Sequence, residues 1–564
     1  MISDKRPVQD FVSLLVVHRI QHVIITPGSR NAPFSLSLFE HADIHSYSIV
    51  DERSAAFIAL GMAQQLEQPV VLICTSGTAA LNFAPAIAEA YYQRVPLIVV
   101  TADRPVEWID QGEGQSIRQR NVYSNYVKAS IEIAEEASEG DLVWYNNRIM
   151  DEALRTSVEG VHGPIHINFP LRESLYKVTD QTIAGVKTVN RARTHLSIAK
   201  FELDEIVFKM NNSSKIMVLA GQMPPDSDLH LALAEFAEKN NVAVFTEAHS
   251  NLSHHRFITT IDRMIMGFDA DSWHDMQPDI LITIGHNTIS RKIKDYLRSM
   301  PTEHWHVDVS GEGLDTFKHL TKIIPLTPVA FFNELKGHAT HTIHSDYHER
   351  MLGMNTKTRL AGHSFIEKAN WSDLKVFDVL MNKIPSNSHV QMGNSSVVRY
   401  ILLSDTRPDL NYFGNRGVAG IDGCTSTAVG ASFASGVLTT FISGDIGFFY
   451  DSNAFWSSMI GSNLKIIVIN NGGGGIFRII EGPRSHEKAM EKFFETKHTR
   501  SAKGLAAMYD IEFMEAIDSD SLNIGLDWLY QTKCCAILEI HTPRTENDLE
   551  LRSFFKYIKE NTIN

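Results

Sequence analysis

Cysteine is scarce in this chain of 564 residues, and Cys74, Cys424, Cys534 and Cys535 form neither a CxxC pair nor a metal-ligand spacing. This pattern argues against a disulfide framework and against zinc, and the four read as buried thiols of a reducing compartment. No apolar run approaches the roughly 20 residues that a membrane-spanning helix requires. The apolar stretch 11–17 runs at once into His18 and Arg19 and lacks a small-residue cleavage site. It reads as an amphipathic helix rather than a signal peptide, and cytoplasmic residence is the expectation. Long basic runs are missing too: 52 Lys and Arg against 66 Asp and Glu give a net charge of −14, which offers little to a nucleic-acid backbone. Anionic substrates would need positive charge placed locally. Neither GxxxxGK[ST] nor a strand-linked GxGxxG stands out, which argues against the common nucleotide-binding loops.

What is present is the rhythm of parallel α/β sheets. Short β-branched runs at 23–26, 70–74 and 97–101 each lead into a turn and a helix-like stretch. A polar segment near 171–197 interrupts the pattern, which resumes at 216–220, 242–245 and 280–284. A second polar, histidine-containing stretch at 341–363 precedes a third series with strands at 439–442, 465–469 and 536–540. The length exceeds what one core serves. The expectation is therefore three doubly wound parallel-sheet domains spanning 1–185, 198–345 and 360–564.

The third series carries the most informative residues. Ser443-Gly444-Asp445-Ile446 follows one strand, and Asn470-Asn471-Gly472-Gly473-Gly474-Gly475-Ile476-Phe477 follows the next. Strand ends of a parallel sheet lie along one edge, so the Asp445 carboxylate, the Asn471 amide oxygen and the Gly473 carbonyl can share a hard cation with diphosphate oxygens. The glycines allow close backbone approach to phosphate, and a following helix adds amide donors. Alone, each fragment is an ordinary turn or loop. Gly444-Asp445 followed about 25 residues later by Asn470-Asn471 resembles the GDG…NN fingerprint of thiamine-diphosphate-dependent enzymes, with Ile446 in place of the usual glycine.

That resemblance implies a fold of three such domains, thiamine diphosphate as cofactor, and Mg2+ or Mn2+ held by Asp445, Asn471 and Gly473. It also implies a carboxylate from the N-terminal domain, and Glu52, after the run 45–50, takes that place as the catalytic residue that would share a proton with the aminopyrimidine ring. Thr78, in the turn Thr75-Ser76-Gly77-Thr78, would bind the cofactor together with Glu52, Gly444, Ile476 and Phe477. Ile421 matches the aliphatic wedge that bends the cofactor. Because the family usually joins the two cofactor ends from different subunits, a homodimer or homotetramer is implied.

Further segments narrow the resemblance: Thr26 to Pro33, Thr101 to Pro105, Asp110-Gln111 with Gln115 to Gln119, Asn394 to Arg399, Asn415 to Gly423 and Phe493 to Thr496. In order and along the whole chain they are similar to the 2-succinyl-5-enolpyruvyl-6-hydroxy-3-cyclohexene-1-carboxylate synthase family of menaquinone biosynthesis. This resemblance implies decarboxylation of 2-oxoglutarate and addition of the succinyl unit to isochorismate. By position Ser395 and Arg399 would hold the 2-oxoglutarate side carboxylate. Ser29, Arg30, Arg104, Gln115, Arg291, Lys292 and Arg416 would bind isochorismate or the adduct, arginine being suited to bidentate carboxylate pairing. Two positions depart from the pattern: Gly114 stands where asparagine is frequent, and the basic pair reads Arg291-Lys292 rather than Lys-Arg. His254-His255, in the middle domain, reads as surface or structural. The alternatives are a carboligase of the acetolactate-synthase type, which uses pyruvate, and a non-catalytic relative, disfavoured because Glu52, Asp445 and Asn471 are all present.

Overall fold

Three sheets, each of six parallel strands, are built from short runs such as Val-Val-Leu-Ile-Cys at 70–74 and Ile-Met-Val-Leu-Ala at 216–220, buried at every position. Continuous burial is what a strand covered by helices on both faces demands. The computed structural model describes residues 2–39, 41–135, 137–180, 185–192, 194–338, 345–479 and 485–562.

The first sheet comprises β1 (His22–Ile25), β2 (His45–Ser48), β3 (Val70–Cys74), β4 (Leu97–Asp103), β5 (Ala129–Glu132) and β6 (Ile165–Pro170), in the order β2-β1-β3-β4-β6-β5. The middle sheet comprises β7 (Ile216–Ala220), β8 (Val242–Thr246), β9 (Phe257–Ile258), β10 (Ile280–Ile284), β11 (Glu303–Val307) and β12 (Leu320–Ile324), in the order β9-β8-β7-β10-β11-β12. The third comprises β13 (Ser388–Met392), β14 (Leu410–Gly414), β15 (Thr439–Gly444), β16 (Leu464–Asn470), β17 (Glu512–Ala516) and β18 (Ala536–His541), in the order β14-β13-β15-β16-β18-β17. The first and third sheets thus share one topology. In each, the strand order reverses beside the first strand of the series, and such switch points open a crevice at the strands' carboxyl ends.

Five helices position the site: α1 (Glu52–Leu66), α2 (Ala84–Gln93), α3 (Arg291–Arg298), α4 (Ser396–Ile401) and α5 (Cys424–Ser435). Helices α1 and α5 join the first and third domains through facing glycines. A Cβ added at Gly61 would lie 2.1 Å from the Thr427 carbonyl oxygen, and one at Gly430 would lie 2.0 Å from that of Ile58. Backbone therefore packs on backbone at this crossing, and the two domains share one apolar core containing Phe57, Phe83, Val429 and Phe448.

Two expectations need correction. Cys74, Cys424 and Cys535 are buried, but Cys534 is exposed, because it sits in the bend before β18 while Cys535 turns inward. The stretch 341–363 lacks the pattern of a core element, yet from Tyr347 onward it lies within the 22-residue helix Tyr347–Lys368. That helix buries six of its 22 residues, among them the polar His348 and Thr358, and packs along the C-terminal helix Asn547–Thr562, so most of its surface is free to be polar.

Candidate active site

The carboxyl ends of β15 and β16 face one cavity of about 360 Å³, lined by Ser395, Ile421, Gly444, Asp445, Asn471, Ile476 and Phe477 among others. Asp445 is buried at the start of a short helix. Its Oδ1 accepts from the Ile446 amide at 2.7 Å and its Oδ2 from the Gly473 amide at 2.9 Å. Burial holds its carboxyl above the ordinary range. Gly473 adopts φ +120°, and a Cβ there would fall 2.1 Å from the Thr496 carbonyl, so only glycine fits this approach. Ile421 lies opposite Gly447, its Cβ 3.8 Å from where a Gly447 side chain would begin.

Asn471 supplies the test of a cation site. Its Nδ2 donates to Asp373 Oδ2 at 3.4 Å, while its Oδ1 is buried without a hydrogen-bond partner. Asp373 is itself held by the Thr542 hydroxyl at 2.6 Å, and burial raises its pKa to about 6. A buried acceptor left unpaired costs on the order of 1–3 kcal/mol, so its presence beside a carboxylate in a cavity marks a place for a positive ligand. The donor set is all oxygen, which suits a hard divalent cation, and the glycine loop leaves room for diphosphate. The residues present fit both groups.

A second cleft, of about 530 Å³, is lined by Arg291, Lys292 and Arg399 with Asp262, Asp295 and Tyr400. Helix α4 serves both spaces: Ser395, at its N-terminal end with φ +74°, faces the first, and Arg399 the second. The inverted pair Arg291-Lys292 puts both cations on this cleft, with the Lys292 ammonium 4.7 Å from the Phe555 ring centre. Arg416 lines neither space. Its Nη1 donates to Asn394 Oδ1 at 2.6 Å and its buried Nε has no acceptor.

The first-domain residues form a separate group that follows the ends of β1, β2, β3 and β4. Glu52 opens α1, where Asp51 caps the helix by accepting from the Ser54 amide. Thr78 and Ser29 are exposed, and Arg30 is buried, donating to the Leu171 carbonyl at 2.8 Å and pairing with Glu173 at 3.1 Å. Arg104 donates to the Gly114 carbonyl at 2.8 and 3.0 Å, so Gly114, the position where the family pattern often has asparagine, contributes its backbone. Gln115 has φ +54° and lies against Gly77, whose amide donates to Gln119 Oε1 at 2.8 Å. None of these residues lines the cavity of Asp445. His254 and His255 stand beside Glu238, 3.6 and 3.3 Å away, at the surface of the middle domain.

The structure adds two residues to which the sequence reading assigns no role. His498 Nε2 lies 3.2 Å from Asp445 Oδ2, and Asn394 ties the loop 415–420 by donating to the carbonyls of Asn415 at 2.7 Å and Gly420 at 2.5 Å. A lone histidine in a polar stretch gives no signal of this role. The Asn394 position does carry one, since it opens the matched segment Asn394 to Arg399.

Two six-stranded sheets of one topology, a glycine-lined oxygen site and a carboxylate at a helix start define a thiamine-diphosphate-dependent enzyme. Residues 7–122 match the family model described as thiamine pyrophosphate enzyme, N-terminal TPP binding domain. The fold is also that of benzoylformate decarboxylase from Polynucleobacter necessarius, with a TM-score of 0.71 at 17% identity over 96% of this chain and 99% of that one. The 2-succinyl-5-enolpyruvyl-6-hydroxy-3-cyclohexene-1-carboxylate synthase of Flavobacterium johnsoniae is 41% identical over 97% of this chain and 98% of its own length. That of Porphyromonas gingivalis is 37% identical over 99% and 98%. The chain belongs to this synthase family. Among the described residues, no helix is long and apolar enough to cross a membrane.

Proposed function

We propose that the chain decarboxylates 2-oxoglutarate and joins the remaining succinyl unit to isochorismate, yielding 2-succinyl-5-enolpyruvyl-6-hydroxy-3-cyclohexene-1-carboxylate and CO2 for menaquinone synthesis. The observation that carries this reading is one helix, α4, shared between an oxygen-lined cavity and a cleft bearing three cations. Bound thiamine diphosphate supplies the carbon nucleophile on which a 2-oxo acid loses CO2.

The chain's own residues do the rest. Asp445, Asn471 and the Gly473 carbonyl would hold Mg2+ or Mn2+, with Gly444, Ile476 and Phe477 around the diphosphate. Ile421 would wedge the cofactor, and Glu52 with Thr78 would receive its aminopyrimidine end, Glu52 sharing the ring proton. Ser395 and Arg399 would take the side carboxylate of 2-oxoglutarate. Ser29, Arg30, Arg104, Gln115, Arg291, Lys292 and Arg416 would take isochorismate, a dianion whose capture needs local cations on a chain of net charge −14.

The first-domain group is absent from the cavity of Asp445 within one chain. This supports a homodimer, or a homotetramer, in which a second chain brings Glu52 and Thr78 to the site. Four free cysteines accord with a reducing cytoplasm.

The test is incubation of the protein with thiamine diphosphate, magnesium, 2-oxoglutarate and isochorismate, with mass detection of the adduct. A parallel incubation with pyruvate measures CO2 release. The adduct should form from 2-oxoglutarate, whereas faster CO2 release from pyruvate would reassign the chain to an acetolactate-type carboligase.

A further inference from the structure

Two buried glutamates from different domains hold the main chain of the loops that lead to the proposed substrate cations. Glu89, on α2 and 3% exposed, accepts from the amides of Gly417 at 2.6 Å, Val418 at 2.7 Å and Ala419 at 3.3 Å. These three amides directly follow Arg416. Glu247, 1% exposed, accepts from the amides of Ile289 at 2.7 Å and Ser290 at 2.6 Å, immediately before Arg291 and Lys292. Asn287 ties the two loops together: its Nδ2 donates to the Arg416 carbonyl at 2.9 Å, and its own carbonyl lies 3.0 Å from His249 Nε2.

The arrangement is one device used twice. A carboxylate spanning consecutive amides makes charge-assisted hydrogen bonds that fix a loop as a unit, and its loss leaves buried donors unpaired. Arg416 needs such fixing. Its guanidinium has one side-chain partner, Asn394, and a buried Nε without an acceptor, so the loop backbone decides where it points. The loop is strained as well as anchored, because Ala419 adopts φ +65°, which a non-glycine residue holds only when its surroundings compel it. On the other side, Ser290 caps α3 by accepting from the Ile293 amide at 3.1 Å, and its hydroxyl also bonds Asp262. Glu247 thereby sets the origin of the helix whose first two residues are the cations.

We infer that Glu89 and Glu247 are positioning residues for capture of the acceptor's carboxylates, holding the backbone from which Arg416 and the Arg291-Lys292 pair reach isochorismate. The inference rests on the reading of those cations as the isochorismate ligands. Neither glutamate lines the basic cleft or the cavity of Asp445.

The test uses the full-length enzyme with thiamine diphosphate and magnesium, comparing Glu89→Gln, Glu247→Gln and Arg416→Ala. An amide in place of the carboxylate turns an NH2 group toward a backbone N–H, so each Gln variant should raise KM for isochorismate on the order of 10-fold, with kcat and cofactor affinity changed far less. The double variant Glu89→Gln/Arg416→Ala should bind isochorismate no worse than Arg416→Ala alone, since both act through one guanidinium. Additive losses, or a parallel fall of kcat, cofactor affinity and melting temperature with KM unchanged, overturn the inference. If Arg416→Ala leaves KM for isochorismate unchanged, the ligand reading itself fails, and the Glu89 assignment falls with it. Should a Gln variant not fold, Asn287→Ala, at an exposed amide, takes its place: a several-fold rise in the same KM supports the inference and an unchanged KM overturns it.

Discussion

Asn471 and Asp373 are joined by a single hydrogen bond of 3.4 Å that fixes which end of the Asn471 amide faces the cavity. With Nδ2 committed to Asp373, the oxygen is left without a partner at a cavity that Asp445 also lines. Asp445→Ala should therefore weaken thiamine diphosphate binding and abolish its dependence on magnesium, because an anionic ligand to a hard cation is lost. Calorimetry with and without magnesium checks this. Unchanged, metal-dependent affinity in the variant would remove Asp445 and Asn471 from the cation site.

Glu52→Gln keeps the shape of the side chain at the start of α1 but cannot share a proton as a carboxylate does. Turnover should fall by roughly 10² or more, the scale of a general acid-base group, while cofactor affinity stays near wild type. Steady-state rates at saturating cofactor decide it, and near-wild-type turnover would take Glu52 out of the mechanism.

Arg399 faces the cleft shared with Arg291 and Lys292. A hydrogen bond to a charged group contributes roughly 1.5–3 kcal/mol, so Arg399→Ala should lower kcat/KM for 2-oxoglutarate on the order of 10- to 200-fold and narrow the preference over pyruvate. Full retention of that preference would show that another residue holds the side carboxylate.

The crossing of α1 and α5 leaves no room for a methyl group. Gly430→Ala would place a carbon 2.0 Å from the Ile58 carbonyl, and forcing backbone apart in a packed core costs about 1–3 kcal/mol. A lowered melting temperature, with loosening of the first domain against the third in hydrogen exchange, is the expected result. A melting temperature equal to wild type would mean that the helices separate freely.

His166 is buried in the first sheet, with Nε2 2.8 Å from the Thr101 hydroxyl, Nδ1 3.1 Å from that of Ser130 and the Tyr123 ring edge-on. Burial lowers its pKa to about 3 from an ordinary value near 6.5. Between these values the unfolded chain binds the proton and the native chain does not, so this group's contribution to stability falls as pH drops, by about 1.4 kcal/mol per unit. Asp103, raised to about 6 by burial, works in the opposite direction above its unfolded pKa. Comparison of His166→Asn with wild type isolates the histidine: its melting temperature should decline less steeply from pH 6.5 to 4. Parallel declines would mean that His166 is not neutral in the fold.

The sequence by itself determined the three six-stranded parallel sheets and which residues stand at their strand ends. Buried parallel strands are nearly continuous apolar runs, and Gly444-Asp445 and Asn470-Asn471 stand at the ends of two of them, so composition and position coincide. Only the tertiary structure decided which carboxylates are buried and what they hold. On a helix, Glu89 reads like any surface glutamate, and Glu247 follows a strand as turn residues do. Their roles appear when a loop of the third domain brings its amides against Glu89 and a loop of Glu247's own domain, 42 residues further on, brings its amides against Glu247. The same holds for the helix Tyr347–Lys368, whose polar face hides its periodicity, and for Arg399 and Ser395, four residues apart yet turned to different spaces. Local pattern fixes what a segment is. Burial and direction are properties of the pairs of segments that meet, and they exist only once the chain has folded.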